Sequence, residues 1–118
     1  MMPEFDSFTQ GYLDCAEWLL DKDVDRSKLR GWTKKAIKEA VDVCVRFQVD
    51  HMNDLERYQE VTGRDANSAG VDFFLTRNGH DTGFWDRGDD PCLDRLTDAS
   101  QCCGEVYTTV TRGWIHWD

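Results

Sequence analysis

Positive charge is scarce in this sequence: 14 Lys and Arg stand against 23 Asp and Glu, a formal net charge of -9 over 118 residues. The deficit runs through the whole chain, with nets of -4 over residues 1–70 and -5 over residues 71–118. Such a balance repels phosphate backbones unless bases are gathered on one face, so direct DNA or RNA binding is not expected. Long apolar runs are missing as well. None approaches the roughly 20 residues of a bilayer-spanning helix. The opening Met-Met-Pro-Glu-Phe-Asp has neither the basic nor the apolar region of an export signal. Cys15, Cys44, Cys92, Cys102 and Cys103 form no CxxC and no Cys/His zinc spacing, and their number is odd. They are expected to be reduced thiols acting as small buried hydrophobes in a cytoplasmic protein. A Gly-rich phosphate loop, a GxSxG elbow and an HExxH pair are also absent. No pattern asks for a cofactor or a metal.

What is present suffices for one domain over residues 1–118, since 40% apolar residues and five Trp can build a core without disulfides. Asp6 or Ser7 is placed to cap a first helix, along which Phe8, Tyr12, Cys15 and Leu19 share a face. Gly11 interrupts that face at a cost of about 1 kcal/mol relative to Ala, which close approach of another backbone would justify. Residues 21–31 are charged and read as a connection. Thr33 caps a long helix running to about Glu60 and stopped by Gly63. Its apolar side holds Ile37, Ala40, Val41, Cys44, Phe47, Met52, Leu55 and Tyr58. Gln48 and His51 project from that side as half-buried hydrogen-bonding groups, with His51 as a candidate to share a pocket with the downstream loop.

After a small polar loop over residues 62–70 the period shortens. Val71, Phe73 and Leu75 alternate with their neighbours as in a strand, and Phe84-Trp85-Asp86 gives a second strand. Asn78 to Gly83 is turn chemistry and predicts a hairpin tip. Asp90 and Pro91 start a helix carrying Leu93, Leu96, Ala99 and Cys103, which Gly104 ends. Val106–Thr111 and Trp114–Trp117 flank Arg112-Gly113 as a second hairpin. The order predicts an α+β domain: residues 1–62 mainly helical, residues 71–118 strand-strand-helix-strand-strand, with a small largely antiparallel sheet covered by helices.

Phe8-Thr-Gln-Gly-Tyr-Leu-Asp-Cys-Ala-Glu-Trp18, Phe47-Gln48, Leu93-Asp-Arg-Leu-Thr-Asp-Ala99 and Gly104-Glu-Val-Tyr107 accompany a central run, Asp72-Phe-Phe-Leu-Thr-Arg-Asn-Gly-His-Asp-Thr-Gly-Phe-Trp-Asp-Arg87. Together they resemble a family of small acidic proteins encoded by bacteriophages, prophages and other mobile elements. The resemblance covers most of the chain and implies genomic origin, not a reaction. Relatives often carry Gly-Ala or Gly-Val where this chain has Asp81-Thr82, so a role for Asp81 is not implied by it. Small phage accessory proteins commonly bind and redirect or inhibit host or defence proteins, and by that analogy the expected partner is a host or phage protein, with a host nucleic-acid-processing or defence component foremost.

The residues expected to bind such a partner are His80, Asp81, Trp85, Asp86, Arg87, Asp89 and Asp90. A Trp is an energetic anchor, and carboxylates steer toward a basic surface. The sheet-half aromatics Phe74, Phe84, Trp85, Tyr107, Trp114 and Trp117 are mostly core, but one face of a small sheet can stay uncovered by helices. The competing reading is a small metal-assisted hydrolase or nuclease, in which His80 acts as a base beside Asp81 and Asp86, Arg87 holds an anionic substrate and His116 joins from the last strand. Strand alternation opposes it by sending Asp86 and Arg87 to opposite faces. Structural pairing of Asp86 with Arg77 or Arg87 would use the same residues. A third option is a homodimer formed edge to edge through Trp114–Trp117.

Overall fold

The computed structural model describes residues 5–118. Their order is α1 (Ser7–Trp18), β1 (Gly31–Trp32), α2 (Lys34–Asp50), α3 (Met52–Thr62), α4 (Ala66–Arg77), α5 (Pro91–Cys102), β2 (Thr108–Thr111) and β3 (Trp114–Trp117). Single 3-10 turns stand at Arg26–Lys28 and Phe84–Asp86. The fold is α+β, as expected, with helices dominant and one mixed sheet of order β1-β3-β2. Among the described residues no helix is long and apolar enough to cross a membrane.

Short side-chain oxygens start the helices by accepting backbone N–H groups left free in the first turn. Asp6 accepts from Thr9 at 2.8 Å, Thr33 from Ala36 at 3.1 Å, Asp65 from Ser68 at 2.9 Å and Asp90 from Cys92 at 3.0 Å. Three of these caps were expected; Asp65 was read as loop. At the end of α1 the Arg26 guanidinium donates to the carbonyls of Glu17, Trp18 and Leu20, neutralising the negative end of the helix.

The long helix expected over residues 33–60 is two helices. His51 leaves helical geometry with φ -126° and ψ 28°, and its ring packs against Phe47 at a centroid distance of 4.7 Å. No Pro or Gly marks this break. The core side therefore runs through Ile37, Ala40, Cys44 and Phe47 and resumes at Leu55 and Tyr58, while Met52 is 59% exposed and not part of it. Gln48 donates to Asp6 at 2.9 Å and to the Cys44 carbonyl, as its half-buried position requires.

The largest correction concerns residues 66–77. The expected loop and the expected strand Val71–Leu75 are one helix, α4, at the centre of the molecule. It packs between α1 and α5, so residues on most of its sides are buried: Ala69, Gly70, Asp72, Phe73, Phe74, Thr76 and Arg77. A helix surrounded in this way lacks the single apolar stripe by which a surface helix is read, and a short apolar run is ambiguous between helix and strand. Backbones meet where α1 crosses α4. A Cβ at Gly11 would lie 2.0 Å from the Asn67 carbonyl oxygen, and one at Gly70 would lie 1.8 Å from that of Phe8. The close approach inferred for Gly11 is thus real, and Gly70 is its counterpart on the other helix.

The first hairpin does not exist. Asn78-Gly79-His80 ends α4: Gly79 takes φ 67°, its N–H reaches the Thr76 carbonyl at 3.2 Å, and the His80 N–H reaches that of Leu75 at 3.0 Å. This is the Schellman arrangement, which uses the same Asn-Gly chemistry as a hairpin tip. Phe84-Trp85-Asp86 is the 3-10 turn instead of a strand. Phe84 is fully buried, edge-on to Tyr58 at 5.4 Å.

The second hairpin forms as expected, with positive φ at both Arg112 and Gly113 in its two-residue turn. Beside it β1 pairs in parallel with Trp114 and Ile115. The C-terminal strand is consequently central and not the exposed edge needed for the expected edge-to-edge dimer. One sheet face turns inward with Ile115 fully buried, while Trp114 on the other is 41% exposed, so the expectation of an uncovered face holds. Cys15, Cys44 and Cys92 are buried, and burial pushes the thiols of Cys15 and Cys92 up to about 12. Cys102 and Cys103 are exposed at the end of α5, against expectation.

Candidate functional site

The segment between α4 and α5, residues 78–90, carries every residue singled out for partner binding. Its backbone is fixed from beneath. Thr76, buried in the last turn of α4, accepts from the Phe84 N–H at 3.0 Å. Gly83 lies so close that a Cβ there would sit 2.3 Å from the Thr76 hydroxyl. Arg87 turns inward to Asp72, donating at 2.8 Å from its terminal nitrogen and at 3.1 Å from Nε.

Asp72 is the hub of a buried polar network. Fully excluded from solvent, it also accepts from the Tyr58 hydroxyl at 2.6 Å and pairs with Arg64 at 3.4 Å. Arg64 donates in turn to the Tyr58 oxygen at 2.9 Å. A buried carboxylate is stable only when its lone pairs are met, and here two guanidiniums and a phenol meet them. Hydrogen bonding to Asp72 raises Arg87 above its ordinary value. Burial, and then Asp72, raises the Tyr58 phenol. Sequence reading missed Asp72 by assigning it to the outer side of a strand. The Asp65 cap, followed at helical spacing by Ala69, Phe73 and Arg77, was the signal that would have found it.

Arg77 is equally structural. It is 7% exposed and donates to the Tyr12 hydroxyl at 3.0 Å, to the Gly104 carbonyl at 2.8 Å and to the Cys103 carbonyl at 2.9 Å. Its guanidinium also lies 5.6 Å from the Phe73 ring centroid. It joins α1, α4 and the negative end of α5. Neither Arg77 nor Arg87 pairs with Asp86, which accepts from Thr82 at 2.8 Å. Asp90 is also committed internally. Besides capping α5 it receives Arg57 of α3 at 3.1 Å, and the Cys92 amide holds its carboxyl below the ordinary range.

The outer side differs. His80, Asp81, Trp85, Asp86 and Asp89 are exposed, Trp85 at 47%. His80 lines a cleft of about 330 Å³ together with Ala16, Leu19 and Phe74 and with Val106, Tyr107 and Thr108 ahead of and at the start of β2. His51 lines a separate depression with Val49 and Asp54, so the pocket envisaged between it and the loop is not formed. His116 is bound to Thr111 at 2.9 Å and lines another depression beside Thr33 and Glu39. His80 and His116 do not share a site, and Arg87 is turned away from the crest. Among the described residues no three His, Cys, Asp or Glu side chains gather as a metal site requires.

The crest presents a half-exposed indole, an imidazole and three carboxylates on a braced loop. Compared with known proteins, the chain matches no family model, no curated protein and no solved structure.

Proposed function

We propose that this protein acts by binding another protein through the outer side of residues 80–89, as an accessory factor of the phage type that inhibits or redirects a host nucleic-acid-processing or defence component. The observation that carries the reading is the contrast within one loop. Its inner residues are all engaged, whereas Trp85 stands 47% exposed on a braced backbone among Asp81, Asp86 and Asp89. A rigid loop loses little entropy on docking, and an aromatic anchor on a loop that exposes acids suits a basic surface. The net charge of -9 adds long-range attraction to the same class of target. A protein that handles nucleic acid presents such a surface, and the family resemblance of the central run supplies the setting.

The test is affinity purification from host cells with wild-type bait beside a Trp85→Ala, Asp86→Asn bait. A defined partner should follow the wild type and fall at least tenfold with the variant. Equal recovery with both baits, each shown folded by circular dichroism, would remove the loop from the interaction.

A further inference from the structure

The open edge of the sheet lies apart from Trp85 and meets the loop only at His80 and Asp81. β3 is central, β1 covers one side of it and β2 the other, so the outer edge of β2 is a border of the sheet. Which backbone groups point outward follows from the phase of the hairpin. The Asp118 N–H donates to the Tyr107 carbonyl at 2.8 Å, so Tyr107 faces β3, and by alternation so do Thr109 and Thr111. The N–H and C=O groups of Thr108 and Val110 therefore face away from it. The opposite strand agrees: Ile115, partner of Val110, gives its carbonyl to Thr33 next to β1 at 3.0 Å.

Edges of this kind are normally blunted by Lys, Pro or a bulge. Here Thr108-Thr-Val-Thr111 is uncharged and β-branched at three Thr and one Val, and pairs one to one with β3 without a bulge. Among the described residues no backbone group pairs with the outward N–H and C=O groups of Thr108 and Val110. At the start of the strand the edge adjoins the cleft lined by Leu19 and Phe74, whose volume of about 330 Å³ is at the lower end of ligand sites and open to solvent. That suits a large side chain carried by a peptide better than an enclosed cofactor.

We propose that β2 accepts an extended, basic peptide segment of a partner as an added strand, which pairs with the backbone of Thr108 and Val110 and lowers one apolar side chain into the cleft. Strand addition uses these two elements together: main-chain hydrogen bonds for affinity and an adjacent pocket for specificity. Charge selects the occupant. Exposed Glu105 precedes the strand, exposed Asp118 follows its partner strand and exposed Asp81 follows His80 of the cleft lining. A second copy of the chain, itself at -9, would be repelled, whereas alternating Lys or Arg would be drawn in.

The probe is a displayed library of random twelve-residue peptides selected on the immobilised protein, followed by titration of the best peptide. Enrichment of basic residues alternating with apolar ones is expected. Val110→Pro removes an outward N–H, a change that edge strands tolerate, together with part of a side chain half-buried against the core, and should weaken the peptide at least tenfold with the fold retained, as circular dichroism would check. Leu19→Ala should weaken it severalfold, and Trp85→Ala should leave it unchanged, separating this surface from the one around Trp85. Amide exchange at Thr108 and Val110 should slow in the complex. Unaltered affinity in Val110→Pro, unchanged exchange at those amides, or selection of acidic peptides would each overturn the proposal. So would a dimer by light scattering that Val110→Pro dissolves, which would assign the edge to a second copy.

Discussion

Beneath the segment that joins α4 to α5, Tyr58, Arg64 and Arg87 converge on Asp72, a carboxylate out of contact with water; above it, Trp85, Asp81 and Asp89 project into solvent. Both sides carry Asp and an aromatic, but only the inner one has Arg. What separates them is partnership. An Asp with two guanidiniums is a fastening, and an Asp with none is free to be read by another molecule. Residue type alone therefore assigned Arg87 and Asp90 to the recognition surface, and the pairing geometry moves them to the support.

Breaking the inner side should have the largest effect. Asp72→Ala leaves Arg87, Arg64 and the buried Tyr58 hydroxyl without their acceptor; because the two guanidiniums still reach solvent, the cost should fall near the lower end of the range for a broken buried pair, about 3 kcal/mol. Urea denaturation should record that loss, and a change below about 1 kcal/mol would show that the network relaxes onto water. Gly70→Ala attacks the crossing that carries α4. Its methyl would meet the Phe8 carbonyl at 1.8 Å, and overpacking against backbone should cost at or above the upper end of about 1–3 kcal/mol.

Acid should loosen the start of α4 and of α5 more gently. The amides of Ser68 and Cys92 hold the carboxyls of Asp65 and Asp90 below their ordinary value of 3.8. Their contribution is complete above that value and is lost as pH falls through the lower folded-state values. The urea midpoint should thus decline on acidification, and Asp65→Asn should flatten part of the decline. The outer side should be nearly silent in stability. Asp81→Asn and Asp89→Asn are expected to stay within about 0.5 kcal/mol of the parent while altering partner binding, and a larger stability loss would blur the distinction between the two sides.

Capping chemistry was the most legible part of the fold. Asp6, Thr33 and Asp90-Pro91 start helices, and Gly63 and Gly104 with φ of 70° and 77° end them, because each signal acts over a few residues. The hairpin at Arg112-Gly113 was legible for the same reason. The identity of α4 was not, since its burial on most sides is decided by α1 and α5, which the local pattern does not contain. β1, two residues long, owes its existence to β3 and has no signature of its own. At the candidate site the exposed crest could be read from composition. The inward turn of Arg87 could not, because Asp72 stands 15 residues earlier on an element assigned to the wrong class.

Trp117 donates its indole N–H to the Ala36 carbonyl at 3.0 Å across 81 residues of sequence, and its ring packs on Trp32 at 4.8 Å and on Tyr12 at 5.8 Å. A chain so rich in helix would be expected to fold quickly through local contacts. This fastening instead closes a loop of most of the molecule, an entropic toll that grows with the logarithm of loop length and is met before the contact returns anything. Helices should therefore appear early in refolding, with the Trp117 fluorescence change lagging behind them and reporting the step that commits the chain to its final arrangement.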